Sequence, residues 1–78
     1  MTVKDLYKVM DAWTNITVED LDDEEEVYDG LMVGLEMGIK DENSENILFD
    51  ESLERILNMN VVEVEIEGEN KIHVIATK

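Results

Sequence analysis

The stretch Val61-Val62-Glu63-Val64-Glu65-Ile66-Glu67-Gly68-Glu69-Asn70-Lys71-Ile72-His73-Val74-Ile75-Ala76-Thr77 decides the fold class. Val62, Val64 and Ile66 alternate with Glu63, Glu65 and Glu67, and Ile72, Val74 and Ala76 alternate with Lys71, His73, Ile75 and Thr77. Period-two alternation on both sides of a turn signal reads as a β-hairpin with one apolar and one polar face. A two-residue loop at Glu69-Asn70 sets Glu67 against Ile72, placing charge against core. A three-residue loop, Gly68-Glu69-Asn70, instead pairs Ile66 with Ile72, Val64 with Val74 and Val62 with Ala76, and is expected on that ground. It also sets Glu67 opposite Lys71 and Glu65 opposite His73, with Asn70 in the left-handed position.

Working towards the N-terminus, Asp50 is a helix cap, and Leu53, Ile56 and Leu57 form a core face helped by Leu48 and Phe49, giving a short helix that ends near Asn58. Lys40 to Asn46 reads as a polar loop. Residues 27–36 are ambiguous. Val27, Leu31, Val33 and Leu35 alternate, while Gly30, Gly34 and Gly38 weaken a helix by about 1 kcal/mol each relative to Ala. A strand over 26–34, bulged near Asp29-Gly30, is expected; a helix over 24–37 is the alternative. Tyr28 and Met32 fall on that strand's second face, which suggests a partner chain there. Asn15 to Leu21 reads as a strand with Ile16 and Val18 on one face. Residues 2–13 read as a helix. Thr2 and Asp5 form a capping box, Met1 and Leu6 occupy the staple positions, and Val3, Leu6, Val9, Met10 and Trp13 share a face, Trp13 closing it as a core anchor. The expected fold is α+β in the order αββαββ: a four-stranded antiparallel sheet with two helices on one face.

The chain has 78 residues, enough for one domain spanning 1–78 and one small core. It has no cysteine, so disulfide staples and thiolate sites are excluded and a cytoplasmic setting is expected. The N-terminus has no apolar signal-peptide region. The longest uncharged apolar run, Leu31 to Leu35, is far short of the roughly 20 residues that span a bilayer. There are 21 acidic and 6 basic residues, for a net charge of −15. Nucleic acid and anionic membranes both repel such a chain, so neither is expected as a direct partner.

The opening Thr2-Val3-Lys4-Asp5-Leu6, the helix ending at Trp13-Thr14-Asn15, the acidic turn before Val27-Tyr28-Asp29-Gly30 and the C-terminal helix and hairpin resemble small accessory proteins encoded by phages and prophages of Gram-positive bacteria. The resemblance covers roughly residues 2–34 and 49–77. It implies a phage setting, in which short acidic proteins include inhibitors of host defence nucleases and DNA mimics. The acidic run is longer than the usual turn there, and the 35–48 loop departs from the pattern.

Catalysis is not expected. His73 is the only histidine, the serines are Ser44 and Ser52, and no nucleophile–base set can be assembled. No cofactor is expected. Asp41, Asn43 and Glu45 fit positions one, three and five of a calcium loop, and Leu48 fits position eight. Asn46 and Ser52 stand where the decisive Gly and Glu belong, so no metal site is assigned and a weak calcium-binding module is a third-ranked reading. Gly30, Gly34 and Gly38 lack a following phosphate-loop Lys. His73 is expected to pair with Glu65 across the strands or to sit at the surface.

The acidic surface remains. Eight of the eleven residues from Glu19 to Asp29 are acidic: Glu19, Asp20, Asp22, Asp23, Glu24, Glu25, Glu26 and Asp29. Glu63, Glu65 and Glu67 form a second row on the sheet face away from the helices. The favoured reading is a non-enzymatic inhibitor that binds a basic nucleic-acid-binding protein, such as a defence nuclease, by mimicking nucleic acid. The five acids 22–26 would make the main contacts and the second row would extend them. The alternative is an oligomeric accessory protein, a homodimer through Tyr28, Met32 and Leu35, with acidity serving only solubility.

Overall fold

Two β-hairpins lie side by side in one sheet, and the chain between them crosses a single face of it. The computed structural model describes residues 1–39 and 49–78. The first hairpin is β1 (Asn15–Asp20) and β2 (Glu25–Leu31); the second is β3 (Asn60–Gly68) and β4 (Lys71–Thr77). The strand order is β2-β1-β4-β3. Within each hairpin the strands are antiparallel, but β1 and β4 meet in parallel at the centre. The sheet is therefore mixed, which corrects the antiparallel expectation. Burial gives the reason. Ile16 and Val18 of β1 face Ile72 and Val74 of β4 in register, and all four are buried. The strands with the most completely covered side chains take the centre, and the more polar β2 and β3 become edges.

The crossover from β2 to β3 contains a 3₁₀ helix (Met32–Gly38) and α2 (Glu51–Leu57). With α1 (Val3–Val9) these make three helices among the described residues, one more than expected. Val3 and Leu6 of α1, Met32 and Leu35 of the 3₁₀ helix, and Ile56 and Leu57 of α2 join the inward residues of β1 and β4 in one core. Fully burying a side chain of this kind contributes about 1.5–3 kcal/mol.

Residues 27–36 divide between the two readings offered for them. The strand ends at Leu31 and the 3₁₀ helix follows. The bulge lies at Val27, since Val18 pairs with Tyr28 and Glu19 with Glu26. The chain leaves β2 by bonding back to the segment before β1: Met32 N–H donates to Thr14 O (2.8 Å) and Val33 N–H to Ala12 O (2.9 Å). Met32 and Leu35, expected as oligomer contacts, lie at 0% exposure in the chain's own core, out of reach of a second copy, and Tyr28 is half-buried with its hydroxyl donating to Leu31 O (2.7 Å).

The capping predictions hold. Thr2 Oγ1 accepts from Asp5 N–H, and Asp5 Oδ2 accepts from Thr2 N–H. Asp50 Oδ1 accepts from Ser52 N–H and Leu53 N–H. The extent of α1 does not hold. It stops at Val9 because Met10 is extended (φ −94°, ψ 155°), and Asp11 Oδ1 then accepts from Trp13 N–H to form a turn. Trp13 and Val9 are thus off the core face, 69% and 78% exposed. Met1 is also exposed.

In the C-terminal hairpin, Ile66 pairs with Ile72, Val64 with Val74 and Glu65 with His73, as the face argument requires. Gly68, however, pairs with Lys71, so the turn is the two residues Glu69-Asn70 and the extra residue is a bulge at Glu67. A bulge absorbs one residue without exchanging the faces. A second shift puts Val61, not Val62, opposite Ala76. Asn70 does not take the left-handed conformation; among the described non-glycine residues only Glu24 does, at φ 50°.

Gly38 shows why a helix-weakening residue sits in this crossover. A Cβ there would lie 2.6 Å from the carbonyl carbon of Leu53 and 2.7 Å from the Glu54 nitrogen. These are backbone atoms of α2 and cannot swing aside. Asp50 N–H, donating to Met37 O (2.7 Å), ties the same two elements together. Gly38→Ala is expected to destabilise the protein by about 1–3 kcal/mol in urea denaturation. An unchanged midpoint would mean that α2 does not pack on the 3₁₀ helix this closely.

Candidate docking surface

The face of the sheet opposite the helices has no covering layer among the described residues. Directly paired residues share a face, so the registers define what lies on it. One row across the sheet is Asp29, Thr17, His73 and Glu65; the next is Glu26, Glu19, Ile75 and Glu63. Glu67 joins them through His73, its Oε1 lying 3.2 Å from the ring Nδ1, while the ring Nε2 is 3.7 Å from Glu19 Oε1. The histidine contacts Glu67 and Glu19, in place of the Glu65 expected from register alone. Lys71 Nζ lies 3.7 Å from Glu67 Oε2. Thr17 is nearly covered, and its hydroxyl donates to Asp29 Oδ1 (3.4 Å).

This face brings Glu19, Glu26, Asp29, Glu63, Glu65 and Glu67 together. Five of these are exposed and Glu19 is half-buried. Adjacent strands are ~4.8 Å apart, so the acids of β2 and β3 run as two lines about 14 Å apart, with His73 and Ile75 between them.

The acidic run is less uniform than its composition. The turn covers Leu21 to Glu24, and Glu25 and Glu26 already belong to β2. Asp20 is only 2% exposed, so it is not available as a contact residue; its Oδ1 accepts from Asp22 N–H (2.9 Å). Asp22 Oδ2 accepts from the Thr77 hydroxyl (2.7 Å) and from Lys78 N–H (3.3 Å). These bonds to the ionised form hold the Asp22 carboxyl below its ordinary value. Lys78 Nζ lies 3.2 Å from Asp23 and 3.8 Å from Asp20, and Asp23 chiefly pushes its ammonium up. Asp20, Asp22 and Asp23 therefore fasten the end of β4. Glu24, Glu25 and Glu26 are exposed, and their carboxylates make no hydrogen bond or ion pair with another described residue.

Beside this clasp, between α2 and the sheet, is an open cleft of about 530 Å³ whose lining includes Asp23, Val27, Arg55, Met59 and Lys78. Sequence reasoning missed Arg55 and Lys78 here, because nothing local links position 78 to positions 20–23. Among the described residues no three His, Asp or Glu side chains converge as metal ligands, and no helix is long and apolar enough to cross a membrane. The calcium-like positions Asp41, Asn43, Glu45 and Asn46, with Leu48, lie outside the described residues. Comparison with protein-family models, curated proteins and solved structures finds no match for this chain.

The clasp has a pH signature. A carboxyl whose folded pKa is depressed contributes stability above its unfolded value, near 3.8, and loses it as pH falls through the lower folded value. Asp22→Ala should therefore lower the melting temperature at neutral pH, with the gap to the parent narrowing below about pH 3.8. A variant more stable than the parent at neutral pH would mean that relief of charge repulsion outweighs the clasp.

Proposed function

We propose that the chain is a non-enzymatic interaction protein that binds a basic nucleic-acid-binding protein through the uncovered face of its sheet. One observation carries this reading: six carboxylates from three strands share that face, where Lys71 and His73 are the basic side chains among the described residues. A patch held on strands is pre-ordered, so little side-chain and loop freedom is lost on association. A cationic groove that meets it is attracted by charge complementarity, which added salt screens. The two acidic lines, about 14 Å apart by strand spacing, approach the separation of the phosphate rows that border a groove ~12 Å wide.

The contact set differs from the one read off composition. Glu26, Asp29, Glu63 and Glu65 lead, with Glu19 and Glu67 behind them. Asp20, Asp22 and Asp23 serve the chain's own C-terminus. Glu24 and Glu25 extend the patch at one end. The setting proposed is a phage-infected or lysogenic bacterium, and the action is inhibition of a defence nuclease by occupying its nucleic-acid groove.

Affinity capture from a bacterial lysate tests this. At low salt the parent should retain basic nucleic-acid-binding proteins, and these should elute as salt rises. The triple variant Glu26→Gln, Glu63→Gln, Glu65→Gln should lose about ten-fold or more in affinity for the captured protein. The variant Glu24→Gln, Glu25→Gln should lose much less. Retention indifferent to salt, or equal retention by the triple variant, would overturn the proposal.

A further inference from the structure

β3 carries three features that the fold itself does not use. Among the described residues its outer edge is open along most of its length. The Met1–Val3 segment lies antiparallel on the first residues only: Val61 N–H donates to Met1 O (2.8 Å), Val3 N–H donates to Met59 O (3.0 Å), and Thr2 bridges Asn60. Beyond Val61 no described strand borders that outer edge. Its apolar row is uncovered as well. Val64 and Ile66 pair with the buried Val74 and Ile72 and share their face, yet Val62, Val64 and Ile66 are 54%, 40% and 83% exposed. Finally, every residue between those three is a glutamate.

Native edge strands are usually shielded, because open N–H and C=O groups beside apolar side chains recruit another strand. Here the shield is selective. A second copy adding edge to edge would bring Glu63, Glu65 and Glu67 against the same residues of its mate, and like charges directly opposite are destabilising. A strand with Lys or Arg at those positions meets the opposite sign. Its intervening apolar residues would fall beside Val62, Val64 and Ile66.

We propose that the β3 edge takes up an extended segment of the basic partner as a fifth strand, alternating apolar and cationic residues over about six positions. The segment runs antiparallel to β3, as Met1–Val3 already does. The inference rests on the partner being basic, as argued above, and adds the form in which it docks.

The test uses two capped peptides of identical composition, one with lysine and valine alternating and one with the lysines and valines in separate blocks. Each is titrated into isotope-labelled protein at low salt, with amide shifts and amide exchange followed by NMR. The alternating peptide should bind at least ten-fold more tightly. It should shift residues 62–67 and slow their exchange, and methylation of its β3-facing amide nitrogens should abolish this. Ile66→Lys, at an exposed site, should weaken the alternating peptide and leave the melting temperature near the parent's. Equal binding of both peptides, with shifts spread over Glu19, Glu26 and Asp29, would overturn strand addition and leave the basic-partner reading standing. No binding of either peptide would overturn both.

Discussion

The parallel pairing of β1 with β4 is the contact on which the rest depends. It places Ile16 and Val18 beside Ile72 and Val74 at the middle of the sheet. The ladder is extended at both ends, by Asn15 N–H to Asn70 O (2.7 Å) and Leu21 N–H to Ala76 O (2.8 Å). Once those two strands are neighbours, each hairpin partner becomes an edge. The chain must then travel from one edge to the other, and it does so across the face where the apolar side chains point. The described helices cover that face alone. The acids of the opposite face are left exposed by that one-sided crossover.

Local chemistry was legible in the sequence. Thr2 with Asp5, Asp50 with the following helix, and the registers at Ile66 and Val64 all follow from rules that act over a few residues. Strand neighbours are different. Period two tells which side chains share a face and says nothing about which strand lies alongside, so the parallel centre was not readable. Coverage is also non-local. Val62, Val64 and Ile66 have the pattern of a core row, but the helices do not extend over them. Trp13 kept helical spacing with Val9 and Met10 after the helix had ended, because periodicity does not see the Asp11 turn.

The candidate site was half legible. Composition singled out the acids, and alternation put Glu63 and Glu65 on the outer face. It did not show that Asp20, Asp22 and Asp23 close around Thr77 and Lys78, a contact more than fifty residues away in sequence. That contact divides one acidic run into a structural part and an exposed part. The fold uses Asp20, Asp22 and Asp23 to hold Thr77 and Lys78 and leaves the Glu26, Glu63 and Glu65 carboxylates with no described hydrogen-bond or ion-pair partner. Like charges held this close on a sheet oppose folding. Their presence on the ordered face is therefore not accounted for by packing.

The melting temperature of the Glu26→Gln, Glu63→Gln, Glu65→Gln variant tests this division most directly. At neutral pH and low salt it should exceed that of the parent, and the difference should shrink as added salt screens the repulsion in the parent. A melting temperature below the parent's would show that these carboxylates hold the sheet together, and the outer face would lose its standing as a docking surface.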